Sequence, residues 1–310
     1  MWDSRRHKLG SWFLAAAGFG ILAVAIDSLW THFVINGTTA SEPARINHLI
    51  HEDGSEIPVF GPSTAHDDFV PEILGNDVFN YGMDGSSLDV VDALLQIECK
   101  KHKTTPIVLS LSEEAGRSVG APSKFPLFVG QPEIRQMLER LGLMEWRYRV
   151  PALRYFGFYD WYLKDYLIEH LLSSRRPVGG YTAQLEQPFD RRTLDAAIKL
   201  RLEAGFGFSS LPDQTRLLFD AINSTPHRTF VIVFPPLHSS CFSKFKDPEG
   251  FARYVSQLQS FKNVVVLDWS RMELPDECFR DTLHLNQKGA IEFSRRFGDR
   301  LQKIRRAINS

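Results

Sequence analysis

The sequence is poor in the residues that make several functional classes easy to recognise. Only three of its 310 residues are cysteines, Cys99, Cys241 and Cys278, and no two form a C-x-x-C pair. Zinc ribbons and thioredoxin-type redox pairs are thereby excluded, and the spacing leaves open whether Cys241 pairs with Cys278 or all three stay free. Neither sign of charge dominates: 36 Lys and Arg stand against 37 Asp and Glu, a net charge of −1. With no basic surplus and no zinc-finger or basic-aromatic motif, nothing predicts a nucleic-acid partner. There is no internal repeat and no low-complexity tract. Beyond the first 35 residues no apolar run is long and uncharged enough to cross a bilayer. The best candidate, between Val150 and Leu172, carries Arg154, Asp160, Lys164 and Asp165. No cofactor and no metal are expected; His66 and Asp67 read as helix-capping residues.

What is present is an ordinary globular composition, 43% hydrophobic and 24% charged, with 23 phenylalanines to fill a core. The amino terminus stands apart. Arg5, Arg6 and Lys8 precede an apolar run from Trp12 to Ile26, which Asp27 interrupts and Leu29 to Ile35 extends. Residues 11–35 are long enough, at about 1.5 Å per residue, for a bilayer core of about 30 Å. Asp27 and His32 then fall toward the far interface, and Trp12 and Trp30 suit the two interfacial belts. The basic flank predicts a cytoplasmic tail over 1–10 and a body held outside, periplasmic or extracellular. A cleaved signal peptide is the rival, opposed by bulky Trp30, Phe33 and Ile35 where small residues would mark a cleavage site. Residues 36–55, polar from Thr38 to Asn47 with Gly37 and Pro43, read as a linker.

Residues 56–310 alternate short apolar runs with amphipathic ones. The runs EIPVF (56–60), DVFNY (77–81), PIVLSL (106–111), TFVIVF (229–234) and NVVVLD (263–268) read as strands. Helices are expected over about 88–100, with Ser86 and Asp89 at capping-box spacing, over 248–261, and from Gln287 onward. Five strands alternating with helices predict an α/β fold, a three-layer α/β/α sandwich around a five-stranded parallel sheet. Residues 112–213 interrupt the alternation and read as a helical insertion over the catalytic edge of the sheet, with helices near 132–141 and 153–172. Ligands of such sheets bind beyond the carboxyl ends of the strands, where GPST, NYGMDGSS, SEE and PPLHSS all fall.

Ser63 follows the first strand in Gly61-Pro62-Ser63-Thr64. A serine needs an adjacent base to act as a nucleophile, and at a helix start it sits beside backbone N–H groups able to hold an oxyanion. Alone, such a turn reads equally as a helix cap. Asp281-Thr-Leu-His284 lies just before the last helix. There the aspartate can orient the imidazole and His284 can take the serine proton, unless Asp281 merely pairs with Arg280.

Serine after the first strand, N-x-G-x-x-G over Asn80 to Gly85 after the second and D-x-x-H before the last helix resemble the SGNH/GDSL hydrolase superfamily. The resemblance covers roughly Ile57 to Arg305, with the middle insertion unmatched. It implies a flavodoxin-like sheet and a triad of Ser63, Asp281 and His284. It also implies an oxyanion hole from Ser63 with Gly82 or Gly85. Where the family carries G-x-N-D this chain has Ser110-Leu-Ser-Glu-Glu114, so Ser112 replaces the asparagine donor or that donor is missing. With its single amino-terminal span the chain further resembles anchored envelope proteins of alginate O-acetylation and of teichoic-acid D-alanine transfer. That implies an acylated glycan or small ester as substrate and a membrane-bound acyltransferase as partner. An α/β-hydrolase is the enzyme rival, but Ala65 breaks its G-x-S-x-G elbow. A non-catalytic domain of the same fold, binding glycan or scaffolding an acylation complex, is the rival of another class.

Overall fold

The structure is a computed structural model that describes residues 3–36, 41–112, 125–157, 159–172, 179–180, 189–208, 210 and 212–308. In chain order the helices are α1 (Asp3–Trp30), α2 (Glu42–His51), α3 (Ser63–Asp68), α4 (Pro71–Leu74), α5 (Leu88–Cys99), α6 (Pro132–Arg140), α7 (Tyr159–Leu167), α8 (Arg191–Ala204), α9 (Pro212–Ser224), α10 (Pro248–Gln259) and α11 (Gln287–Ile308). The strands are β1 (Ile57–Phe60), β2 (Val78–Asn80), β3 (Ile107–Ser110), β4 (Phe206–Gly207), β5 (Phe230–Phe234), β6 (Phe245–Lys246) and β7 (Val264–Asp268). The chain divides into two compact units, Met1–Ala44 with Pro122–Ser174, and Arg45–Ala121 with Arg175–Ser310.

The second unit is an α/β sandwich. Its five-stranded sheet has the order β2-β1-β3-β5-β7, every pair parallel, with Val59 opposite Val108 and Ile232 opposite both Leu109 and Val266. Counted among these five strands the order is 2-1-3-4-5, the doubly wound pattern that places a switch point between the first and third strands. The central strands are apolar throughout because both faces are covered. All five residues of β5 are fully buried. Val231 and Val233 point into one core with Val59, Val108 and the α11 stripe of Phe293, Phe297, Leu301 and Ile304. The alternate side chains face the other layer, where Phe234 meets Phe251 of α10 edge-on. Each of the α11 aromatics contributes roughly 1.5–3 kcal/mol by burial.

In the first unit, α1 continues through a π-helical turn at Thr31–Ile35. Its segment Leu14–Ile35 has a mean hydropathy of 1.6 and is long and apolar enough to span a membrane. Trp12, Phe19 and Ile21 stand exposed, whereas Val34 and Ile35 are buried against Tyr155 and Tyr162. Asp27 is buried too, its carboxylate accepting from Arg154 Nε at 2.7 Å and from the Ala152 N–H at 2.9 Å.

Four expectations from the sequence are corrected. The polar linker contains α2, whose Ile46 and Leu49 are fully buried; its proline stands in the first turn, where a missing N–H costs nothing. The helix expected over 153–172 begins only at Tyr159. Ala152 and Gly157 have φ of 62° and 88°, and Asp27 holds the turn between them. The stretch 112–213 contains a strand, β4, paired in parallel with β6 in a separate two-stranded sheet. Its α8 and α9 belong to the second unit. Finally, Ser87 rather than Ser86 stands at the start of α5, without a side-chain cap hydrogen bond.

Candidate active site

The site is assembled at the carboxyl end of β1. The strand leaves through Gly61, whose φ of 155° few other residues adopt; a Cβ there would stand 2.6 Å from the Ser110 carbonyl oxygen. Ser63 is the first residue of α3, so its N–H and that of Thr64 have no acceptor in a preceding helical turn. The second segment is the loop between Phe279 and Leu285, which are joined by an isolated antiparallel bridge. The Arg280 N–H donates to the His284 carbonyl at 2.9 Å and closes that loop.

The structure brings Ser63, His284 and Asp281 together. Ser63 Oγ lies 2.7 Å from His284 Nε2, and His284 Nδ1 lies 2.9 Å and 3.0 Å from the two Asp281 oxygens. Asp281 Oδ1 also accepts the N–H groups of Leu283 at 2.8 Å and His284 at 3.0 Å. The carboxylate therefore fixes both the ring and the backbone that carries it. Burial pushes the Asp281 carboxyl up, but the His284 hydrogen bond and charge, with the two N–H donors, outweigh it and hold it at about 2. A carboxylate bonded to Nδ1–H leaves Nε2 as the acceptor facing the serine, the tautomer a general base needs.

The expected oxyanion donors fare unequally. Gly82 packs on the nucleophile helix so closely that a Cβ would stand 2.3 Å from the His66 nitrogen. Its N–H, however, donates to Asn80 Oδ1 at 2.8 Å. Gly85 occupies a left-handed turn, φ 64°, two residues beyond Met83, whose N–H holds the Gly61 carbonyl. Ser112 is half-buried just past the end of β3, and Glu113 and Glu114 lie outside the described residues. Next to it, Ser110 Oγ and Thr64 Oγ1 share a buried hydrogen bond of 3.2 Å.

Several residues of this site act in ways that their local sequence does not record. Asn80 donates to the carbonyls of Ala65 and Phe69, both at 2.8 Å, and so staples β2 to α3. Arg45 of α2 is buried and donates to the Gly82 carbonyl. Asp68, fully buried at the end of α3, accepts the Leu285 N–H at 3.1 Å and so joins the serine helix to the histidine loop. Burial and the neighbouring Asp67 charge push the Asp68 carboxyl well above the usual range, against the Leu285 hydrogen bond and Arg280. Only the N-x-G spacing hinted at Asn80; Arg45 and Asp68 act across distances in sequence that no local pattern records.

The His66, Asp67 and Asp84 ligand atoms lie within 4.8 Å of one another. Their charges are already matched: Asp67 pairs with Arg280 at 2.8 Å and His66 with Asp84 at 2.9 Å. Burial and Arg45 push the His66 imidazole down, but its hydrogen bonds to Asp67 and Asp84 prevail and raise it. His238 bonds Asp276 at 3.1 Å, away from the triad. All three cysteines are free thiols. A cavity of about 690 Å³ along the start of α11, lined by Phe189, Leu274, Cys278 and Gln287 among others, includes no triad residue; we take the proton-transfer geometry, not cavity size, to define the site.

No family model matches the chain, and no curated protein does. A solved structure assigned provisionally as a platelet activating factor of Streptococcus pneumonia is similar over 91% of this chain and 99% of its own, at 12% identity and a TM-score of 0.41. Likeness at that level carries no argument about activity.

Proposed function

We propose that this chain is a serine esterase or acyltransferase of the SGNH type. Ser63 Oγ attacks the carbonyl carbon of an acyl ester while its proton passes to His284 Nε2. The tetrahedral adduct collapses, His284 returns the proton to the departing alkoxide, and the acyl group remains on Ser63. Water or a sugar hydroxyl then attacks the acyl carbon while His284 takes its proton; the acyl–Ser63 bond breaks and His284 returns that proton to Ser63 Oγ, making the reaction hydrolysis or transfer. The observation that carries this reading is the 2.7 Å contact between Ser63 Oγ and His284 Nε2, backed by Asp281. The resemblance to anchored envelope proteins points to acyl groups, acetyl above all, on an extracytoplasmic polysaccharide or other envelope polymer. It also points to a membrane-bound acyltransferase as partner. Arg5, Arg6 and Lys8 before an apolar helix support a span with its amino terminus in the cytoplasm and the body outside.

A membrane-impermeant fluorophosphonate probe applied to intact expressing cells tests the nucleophile and the side together. Wild type is expected to label, and Ser63→Ala is expected to lose the signal entirely. Equal labelling of both forms removes Ser63; labelling of wild type only after lysis removes the external body. A second reading, a non-catalytic glycan-binding domain, is favoured by the Gly82 N–H being spent on Asn80 and by serine at the asparagine position. It predicts that neither form labels, before or after lysis.

A further inference from the structure

We propose that the segment from Trp146 to Leu171 is a membrane-seating element: it sheathes the outer end of the α1 span and lies in the lipid interface around it. The inference rests on the anchor reading above and adds a second lipid-facing surface to it. The span is long enough to cross, but its apolar run is interrupted within its length. The uninterrupted part, Trp12 to Ile26, covers about 22 Å at 1.5 Å per residue, against a hydrocarbon core of about 30 Å. The outer part begins at Asp27, where the helix acquires protein neighbours. The Asp27 carboxylate is neutralised by Arg154, Thr31 Oγ1 and Tyr155 Oη are 2.6 Å apart, and Trp30 meets Tyr159 edge-on.

Helix α7 has two apolar sides. Tyr159, Tyr162 and Tyr166, at i, i+3 and i+7, pack on the end of the span. Leu163 and Leu167, at i and i+4, are 41% and 38% exposed, and Leu171, in the π-helical turn Ile168–Leu172 that follows, is 73% exposed. Phe156 and Trp146, in the turns before α7, are 65% and 74% exposed. Beyond the span, eight of the eleven large exposed apolar side chains among the described residues lie between Trp146 and Leu171; the other three, Phe189, Leu200 and Ile308, are scattered in the second unit. Exposed apolar side chains gathered in one segment mark a docking surface. Its occupant follows from attachment: the segment belongs to the same compact unit as α1 and packs on the end of the span, so the lipid that covers α1 lies beside it. A helix lying in the interface buries its apolar face by about 5–10 Å. Arg154 supplies Asp27 with a counter-ion where an isolated carboxylate in lipid would be costly.

The full chain, reconstituted in phosphatidylcholine nanodiscs containing a diazirine-tailed phosphatidylcholine, is irradiated and the labelled peptides are mapped by mass spectrometry. Peptides covering 146–157 and 159–172 are expected to label at roughly the level of the span peptide, and about tenfold above the peptide carrying Leu200, an equally exposed but isolated leucine on α8. Labelling of 12–26 without 146–172 overturns the inference and leaves the anchor standing, assigning the patch to another protein or a second copy. Labelling of neither removes the anchor and the inference together.

Discussion

The two ends of the same parallel sheet use ionic side chains in opposite ways. At the amino ends of β3 and β5, Arg228 is wholly buried and fully committed: its NH1 group bonds Glu98 at 2.8 Å, its Nε the Thr105 carbonyl at 2.8 Å and its NH2 group the Thr105 hydroxyl at 3.2 Å. Lys101 at 2.7 Å and Lys103 at 3.5 Å add two more cations to Glu98. At the carboxyl edge, His284 is 18% and Asp281 31% exposed, and their contacts come mostly from one four-residue loop. The first cluster binds strand ends that are far apart in sequence and has no proton to move. The second keeps an unfilled acceptor within reach of a hydroxyl. A buried charge network that is fully satisfied is rigid, whereas one that faces solvent can change protonation without unfolding its surroundings.

Three substitutions bear on this contrast. Asp281→Asn is expected to lower the rate of fluorophosphonate acylation by roughly 10²–10⁴, because the ring loses the acceptor that sets its tautomer. Its cost in stability is expected to stay below about 2 kcal/mol at neutral pH. Since the folded Asp281 carboxyl is held at about 2, below its unfolded value, that contribution is present above the unfolded value and disappears as pH falls through about 2. Urea unfolding of wild type and variant across the acid range measures it, and a variant with undiminished acylation would show that the loop, not the carboxylate, orients His284. Arg228→Met should invert the pattern. It removes one of three cations from the buried Glu98 carboxylate, leaving Lys101 at 2.7 Å and Lys103 at 3.5 Å, and frees the Thr105 carbonyl; the expected cost is about 1–3 kcal/mol, with acylation by the folded fraction unchanged. An equal loss of acylation rate would mean that the two ends of the sheet are coupled.

The smallest effect is expected at Asp68. Asp68→Asn keeps an oxygen for the Leu285 N–H and removes a group that prefers to be neutral where it sits. The raised folded value means that the protonated form stabilises fully below the unfolded value and loses that contribution as pH rises through the folded one. The advantage of wild type over Asp68→Asn should thus shrink steadily from acid to alkaline pH and then reverse. A difference that does not change with pH would show that the Asp68 carboxyl titrates alike in the folded and unfolded chain.

Much of this architecture was legible because it is written locally. All five strands of the main sheet match the sequence reading to within a residue at each end, since each is a short apolar run between turn residues, and β1, β3 and β5 are buried on both faces. The loop D-x-x-H is equally local, its aspartate bonding its own backbone two and three residues on. The serine and histidine could be paired only through the strand order that the resemblance supplied. What escaped is non-local or very short. A two-residue strand such as β4 has no period to detect. Helix α2 was hidden by a proline that the first turn tolerates. Gly82 was read as a hydrogen-bond donor, whereas its missing side chain is what lets β2 lie against α3, and the partner that occupies its N–H is a side chain two residues away. Asp27 looked like a flaw in an apolar helix; its partner Arg154 lies 127 residues further on.

Ser63 and His284 stand 221 positions apart. During synthesis at about 5–20 residues per second, the serine emerges roughly ten to forty seconds before its base exists. Throughout that interval, and through any passage across a membrane, Ser63 is an ordinary alcohol without the imidazole that would take its proton. If the serine acts as proposed, the order of assembly itself is its timer.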